Sequence, residues 1–187
     1  MTAFLSSLFF ITMAEMGDKT QLVALAFATR FRAWTVLSGI FFATLLVHLF
    51  SVFIGELLGV NLDPFYVQLI AGISFIGFGI WTLRGDELDD ADRKAARFSP
   101  FWTVAIAFFL AELGDKTMLA TVTLAAQYQS FIPVWLGSTF GMVAADAVAI
   151  IVGILLGKKL PENIIKWVSA AIFTGFGIFA LVELFWK

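Results

Sequence analysis

The sequence Glu-x-Gly-Asp-Lys-Thr occurs twice, each time in the middle of an apolar stretch: Glu15-Met16-Gly17-Asp18-Lys19-Thr20 and Glu112-Leu113-Gly114-Asp115-Lys116-Thr117. On insertion scales a charged residue at the centre of a membrane helix costs about 2.5–3.5 kcal/mol. Two such clusters at matched positions are expected to mark one site at membrane depth, and their chemistry points to a cation pathway.

The surroundings of the motifs place the chain in its class. Of 187 residues 60% are hydrophobic, 22 are Phe, and the mean hydropathy is +0.94. This is the composition of an all-α integral membrane protein. Charged residues make up only 14% and are clustered, which leaves no room for a sizeable soluble domain. The absence of cysteine rules out disulfides and thiolate ligands, and so disfavours zinc-thiolate or copper(I) chemistry. Met1-Thr2-Ala3-Phe4-Leu5 lacks a basic leader and runs on into the first motif, so it reads as a first transmembrane helix rather than a cleaved signal peptide.

Six apolar segments, 2–28, 34–59, 65–84, 100–127, 131–157 and 163–185, are each long enough to span about 30 Å of hydrocarbon. The motifs align at an offset of 97, and beyond position 131 an offset of 98 aligns Gly39 with Gly137, Gly55 with Gly153, Gly59 with Gly157, and Gly77-Phe78-Gly79 with Gly175-Phe176-Gly177. A three-helix unit is therefore used twice: 1–84, then a charged linker 85–99, then 100–187. An odd number of spans per unit requires the second copy to be inverted, an architecture suited to alternating access. Arg30, Arg32, Arg84, Arg93, Lys94, Arg97, Lys158, Lys159 and Lys166 fall on one side, and Lys187 on the other. This bias predicts both termini outside and the linker in the cytoplasm. All six Trp (34, 81, 102, 135, 167, 186) fall near helix ends, where they anchor at the membrane interface. The glycines at four-residue spacing read as close-packing positions.

Glu15 and Asp18, and likewise Glu112 and Asp115, are three residues apart, which on a continuous helix puts both carboxylates on one face. Gly17 and Gly114 lower the cost of bending or unwinding there, which would release backbone carbonyls. Thr20 and Thr117 add hydroxyl oxygens. Two half-sites facing each other supply four carboxylates and neutral oxygens, a set suited to hard divalent cations. Lys19 and Lys116 stand four residues after the motif glutamates, in the favourable order for an ion pair. They could neutralise the glutamates, tune the carboxylates, or occupy the site when the cation leaves. Even with both charged, the two motifs keep a net charge of −2. Asp146 is a candidate fifth carboxylate. Its repeat mate His48 is either a proton relay or a hydrogen-bonded packing residue. Gln21 and Met118 are mates one residue past each motif, and the Met118 thioether is either filler or a soft ligand favouring Mn2+ over Ca2+. The linker acids Asp86, Glu87, Asp89, Asp90 and Asp92 match no EF-hand spacing and read as a solvated loop.

The paired Glu-x-Gly-Asp-(Lys/Arg)-(Ser/Thr) motifs, on two three-helix repeats with an acidic linker between, resemble the GDT-type cation–proton exchangers, and the likeness spans nearly the whole chain. That family includes Golgi manganese/calcium transporters and bacterial manganese exporters, and the short chain looks like the bacterial branch. The resemblance implies exchange of Mn2+, with Ca2+ as a second candidate, for protons across the inner (cytoplasmic) membrane. Its ligands would be Glu15, Asp18, Glu112 and Asp115, with no resident cofactor and no nucleic-acid partner. A divalent-cation channel is the first rival, since acidic rings also line channels. A membrane-embedded metal-dependent enzyme is the second, although no His-rich metal set and no Ser/His/Asp pattern is present.

Overall fold

The computed structural model describes residues 1–84, 99–156 and 162–186. The expected linker, apart from Ser99, and the side chain of Lys19 lie outside the described residues. Eight helices follow one another: α1 (Thr2–Glu15), α2 (Lys19–Ala28), α3 (Ala33–Asn61), α4 (Pro64–Arg84), α5 (Pro100–Glu112), α6 (Lys116–Tyr128), α7 (Phe131–Leu156) and α8 (Glu162–Trp186). No strand occurs among the described residues.

The helix limits follow from local chemistry. Pro64 and Pro100 open α4 and α5, where a missing N–H costs nothing. Asp63, preceding a proline, is disfavoured in helix and separates α3 from α4. Gln129 ends α6 in the left-handed conformation at φ 45°. Of the six expected spans, α3 over Ala33–Asn61 and α7 over Phe131–Gly153 are long and apolar enough to cross a membrane unbroken. The first and fourth differ from the expected continuous helices. Each is split at its motif, into α1 plus α2 and α5 plus α6.

The split has the same cause in both places. Gly17 and Gly114 both stand at φ +80°, the left-handed region that ends a helix and that residues with a Cβ rarely adopt. The residues before them share an extended conformation, Met16 at φ −61°, ψ 121° and Leu113 at φ −66°, ψ 112°. Six identical or similar residues thus dictate the same break twice.

Helix packing is reciprocal between the halves. Gly39 of α3 lies against Phe101 and Val104 of α5, and its mate Gly137 of α7 against Phe4 and Ser7 of α1. Gly55 of α3 lies against Val122 of α6, and Gly153 of α7 against Leu25 of α2. Gly79 meets the Ala170 carbonyl across the α4–α8 contact, and Gly177 meets the Gly72 carbonyl. In each case the residues that two mates touch are themselves mates, as in an interface between copies related by a twofold. Thr44 and Met142, which are mates, touch directly: the Thr44 hydroxyl donates to the Met142 sulfur at 3.3 Å. Between α1, α4 and α8 the core is aromatic, with Phe10 in ring contact with Phe75 and Phe176 at 5.3 and 4.3 Å between centroids.

Candidate cation site

The two breaks bring the motif side chains to the centre of the bundle. Glu15 ends α1 and Glu112 ends α5; both are fully buried. Asp115 stands at the N-cap position of α6, and Asp18 stands just ahead of α2. The expectation that Glu and Asp share one helix face is therefore corrected: the helix ends between them, and no continuous face exists. Across each break the motif threonine returns to the glutamate. Thr20 donates its hydroxyl to Glu15 Oε1, and Thr117 donates to Glu112 Oε2 at 2.7 Å. The other oxygen of each glutamate, Glu15 Oε2 and Glu112 Oε1, is buried without a hydrogen-bond partner.

Five carboxylates converge. Glu15 interacts electrostatically with Glu112, Asp146 and Asp18, and Glu112 with Asp115, Asp18 and Asp146. Asp146 is fully buried on α7 with neither oxygen hydrogen-bonded. Among the described residues, no three His, Asp or Glu side chains stand close enough together to hold one metal ion as they are. The cation already in place is a side chain. Lys116 makes an ion pair with Asp18 of the other motif, and it interacts with Asp115 and Glu15 as well. The pairing of Lys116 with Glu112 anticipated from their spacing is not formed, because the break at Gly114 removes the helical turn that would align them.

The mates Gln21 and Met118 serve one local purpose by different chemistry. The Gly17 N–H donates to Gln21 Oε1 at 2.8 Å, and the Gly114 N–H donates to the Met118 sulfur at 3.3 Å. Gln21 does more. Its Nε2 donates to the Ala145 carbonyl at 3.0 Å, tying the first break to α7 beside Asp146. His48 is fully buried on α3, and neither ring nitrogen has a hydrogen-bond partner, so the reading as a hydrogen-bonded packing residue is not met. The Lys116–Asp18 pair and the Thr44–Met142 contact were not foreseen from the sequence. The repeat offset holds a signal for the second, since mates that touch must lie on the symmetry axis.

Such an arrangement suits a divalent cation. It offers carboxylate and hydroxyl oxygens with unpartnered lone pairs in a water-poor centre. Comparison with known proteins places it in a family. The family described as divalent cation/proton antiporter GDT1 matches residues 3–90 and again 100–186. A Vibrio cholerae protein named "Putative manganese exporter" is 37% identical over 165 residues, covering 87% of this chain and 82% of that protein. A Synechocystis protein, GDT1-like protein sll0615, is 26% identical over 95% of this chain and 96% of its own length. The rice GDT1-like protein 1, chloroplastic, is 28% identical over 98% of this chain, which spans 62% of that longer protein. No solved structure matches. The chain is a membrane protein, a transporter rather than an enzyme, and it belongs to the GDT1 family of divalent cation/proton antiporters.

Proposed function

We propose that this chain is a secondary transporter that exports Mn2+ across the inner membrane in exchange for protons, with Ca2+ as a second cargo. Its spans are α1–α2, α3, α4, α5–α6, α7 and α8, forming two inverted repeats, 1–84 and 100–187, joined by a cytoplasmic linker at 85–99. Both termini lie outside. Glu15, Asp18, Glu112 and Asp115 take the cation, and Asp146, Thr20 and Thr117 complete its oxygen shell.

The pair Glu15 and Glu112 carries this reading. Each is wholly buried, keeps one oxygen on its own threonine and leaves the other unpartnered, in electrostatic reach of its mate. Cation and proton compete for the same oxygens, so exchange needs no separate proton channel. With the basic loops in the cytoplasm, the outer end is the one where Gln129 donates to the Gly59 carbonyl at 2.5 Å and Tyr128 to Ser6 at 3.0 Å. At that end α3 meets the α6 backbone through Gly55 and Gly59, whereas at the inner end the atoms nearest to a Cβ on Gly153 belong to the Leu25 side chain. A tighter outer end suits a cytoplasm-facing state.

Flux of Mn2+ and Ca2+ into proteoliposomes under an imposed pH gradient tests this reading. The expected result is saturable flux that follows the gradient and is lost in Glu15→Gln and Asp115→Asn. Equal flux in wild type and both variants overturns the site. Flux that neither saturates nor follows the gradient assigns a channel instead.

A further inference from the structure

A lysine of the second repeat sits among the motif carboxylates. The Lys116 ammonium, at the start of α6, pairs with Asp18 at the α1–α2 break, and both residues are about 4% exposed. It also interacts with Asp115 of its own motif and Glu15 of the other. The break at Gly114 removes the helical turn that would hold Lys116 on Glu112, four residues back. The side chain reaches across the repeat interface into the carboxylates instead. We propose that Lys116 is a tethered competitor of the transported cation: it occupies Asp18 when metal is absent, metal binding displaces it, and its return expels the metal and balances the empty site.

The reason is electrostatic. An antiporter must cross back without its metal, and at membrane depth uncompensated carboxylates make that crossing costly. Protons balance part of that charge. A fixed ammonium on a flexible four-carbon stem balances another part without leaving the protein. The same contact weakens metal binding, because the apparent affinity falls by the fraction of molecules in which Asp18 is available. Lys116 is thus a positioning residue that sets the balance between holding the cation and releasing it. A static brace would differ: its loss would weaken binding and transport together.

The proposal rests on the antiporter reading, and the experiment separates the two. Wild type, Lys116→Gln and Lys116→Arg are reconstituted, and two modes are measured: net Mn2+ flux against a proton gradient, and Mn2+/Mn2+ self-exchange at equal pH, which needs no metal-free return. Glutamine donates a hydrogen bond to Asp18 and leaves no bare buried carboxylate, so the variant keeps its fold, checked by size exclusion. If Lys116 occupies Asp18 in about 90% of metal-free molecules, Lys116→Gln lowers the Mn2+ KM roughly tenfold. Net flux is expected to fall at least tenfold further than self-exchange (about 1.4 kcal/mol on the return step). Lys116→Arg, which keeps the charge, stays near wild type in both. An unchanged or raised KM in Lys116→Gln overturns the proposal, as does parallel loss of both modes or failure of this variant to fold, each of which marks a brace. Wild type that moves no Mn2+ in either mode overturns the functional reading itself.

Discussion

The two motifs share five of six residues and break their helices with the same backbone angles, yet they are not held alike. The first is closed in. Asp18 and Gln21 are buried, and Gln21 bonds both the Gly17 amide and the Ala145 carbonyl of α7. The second is more exposed at its break. Leu113 and Gly114 are exposed, a Cβ at Gly114 would meet open space, and the capping atom is a partly exposed thioether that cannot donate. A short motif therefore fixes the break and the glutamate–threonine contact. The residue after it decides whether the half-site is bound to its neighbouring helix.

The sharpest way to test this comparison is at the glutamates, where the halves are most alike. Glu15→Gln and Glu112→Gln should each weaken metal binding by about 2–5 kcal/mol, roughly thirtyfold or more, measured as Mn2+ KM or loss of flux. A loss confined to one would show that a single half-site carries the cation. At the next level the halves should part. Gly55→Ala forces a methyl into the Val122 carbonyl of α6, whereas Gly153→Ala meets a movable Leu25 side chain. Overpacking costs about 1–3 kcal/mol where backbone cannot yield. Thermal unfolding in detergent should therefore fall clearly for Gly55→Ala and by much less for Gly153→Ala. Equal losses would remove the distinction between a tight and a loose end.

Gly114→Ala isolates the backbone term, because no atom obstructs the new methyl. Holding alanine at φ +80° should cost about 1–2 kcal/mol, read as a lower unfolding temperature and slower flux. The smallest effect should come from exchanging the mates. Gln21→Met loses the bond to the Ala145 carbonyl and should cost about 1 kcal/mol. Met118→Gln should be close to neutral for stability, since the Gly114 amide gains a better acceptor. If Met118→Gln instead slows transport, the thioether at the second break is itself functional.

Much of this was legible in the sequence. The apolar segments mark the helical stretches, two of them broken at a motif, and the glycine-rich offset marks the repeat. Other readings failed for one reason. Glu–Asp at three residues and Glu–Lys at four are rules for an unbroken helix, and the motif glycines end the helix inside those intervals. Glu15, Asp18, Glu112, Asp115, Asp146, Thr20 and Thr117 were singled out from charge and position, but the assignment of Lys116 to Asp18 required knowing where the second repeat lies against the first.

The sequence by itself determined the membrane class, the repetition of the motif-bearing unit and the identity of the polar groups at the centre. Those depend on hydropathy and spacing, which are read along the chain. Only the tertiary structure decided which charge neutralises which, which glutamate oxygens stay unpartnered, and that Gln21 rather than Met118 ties its half-site to a neighbouring helix. Those depend on atoms about a hundred residues apart in the chain reaching hydrogen-bond distance. Reciprocal packing of the two repeats brings them there, and no local rule encodes it.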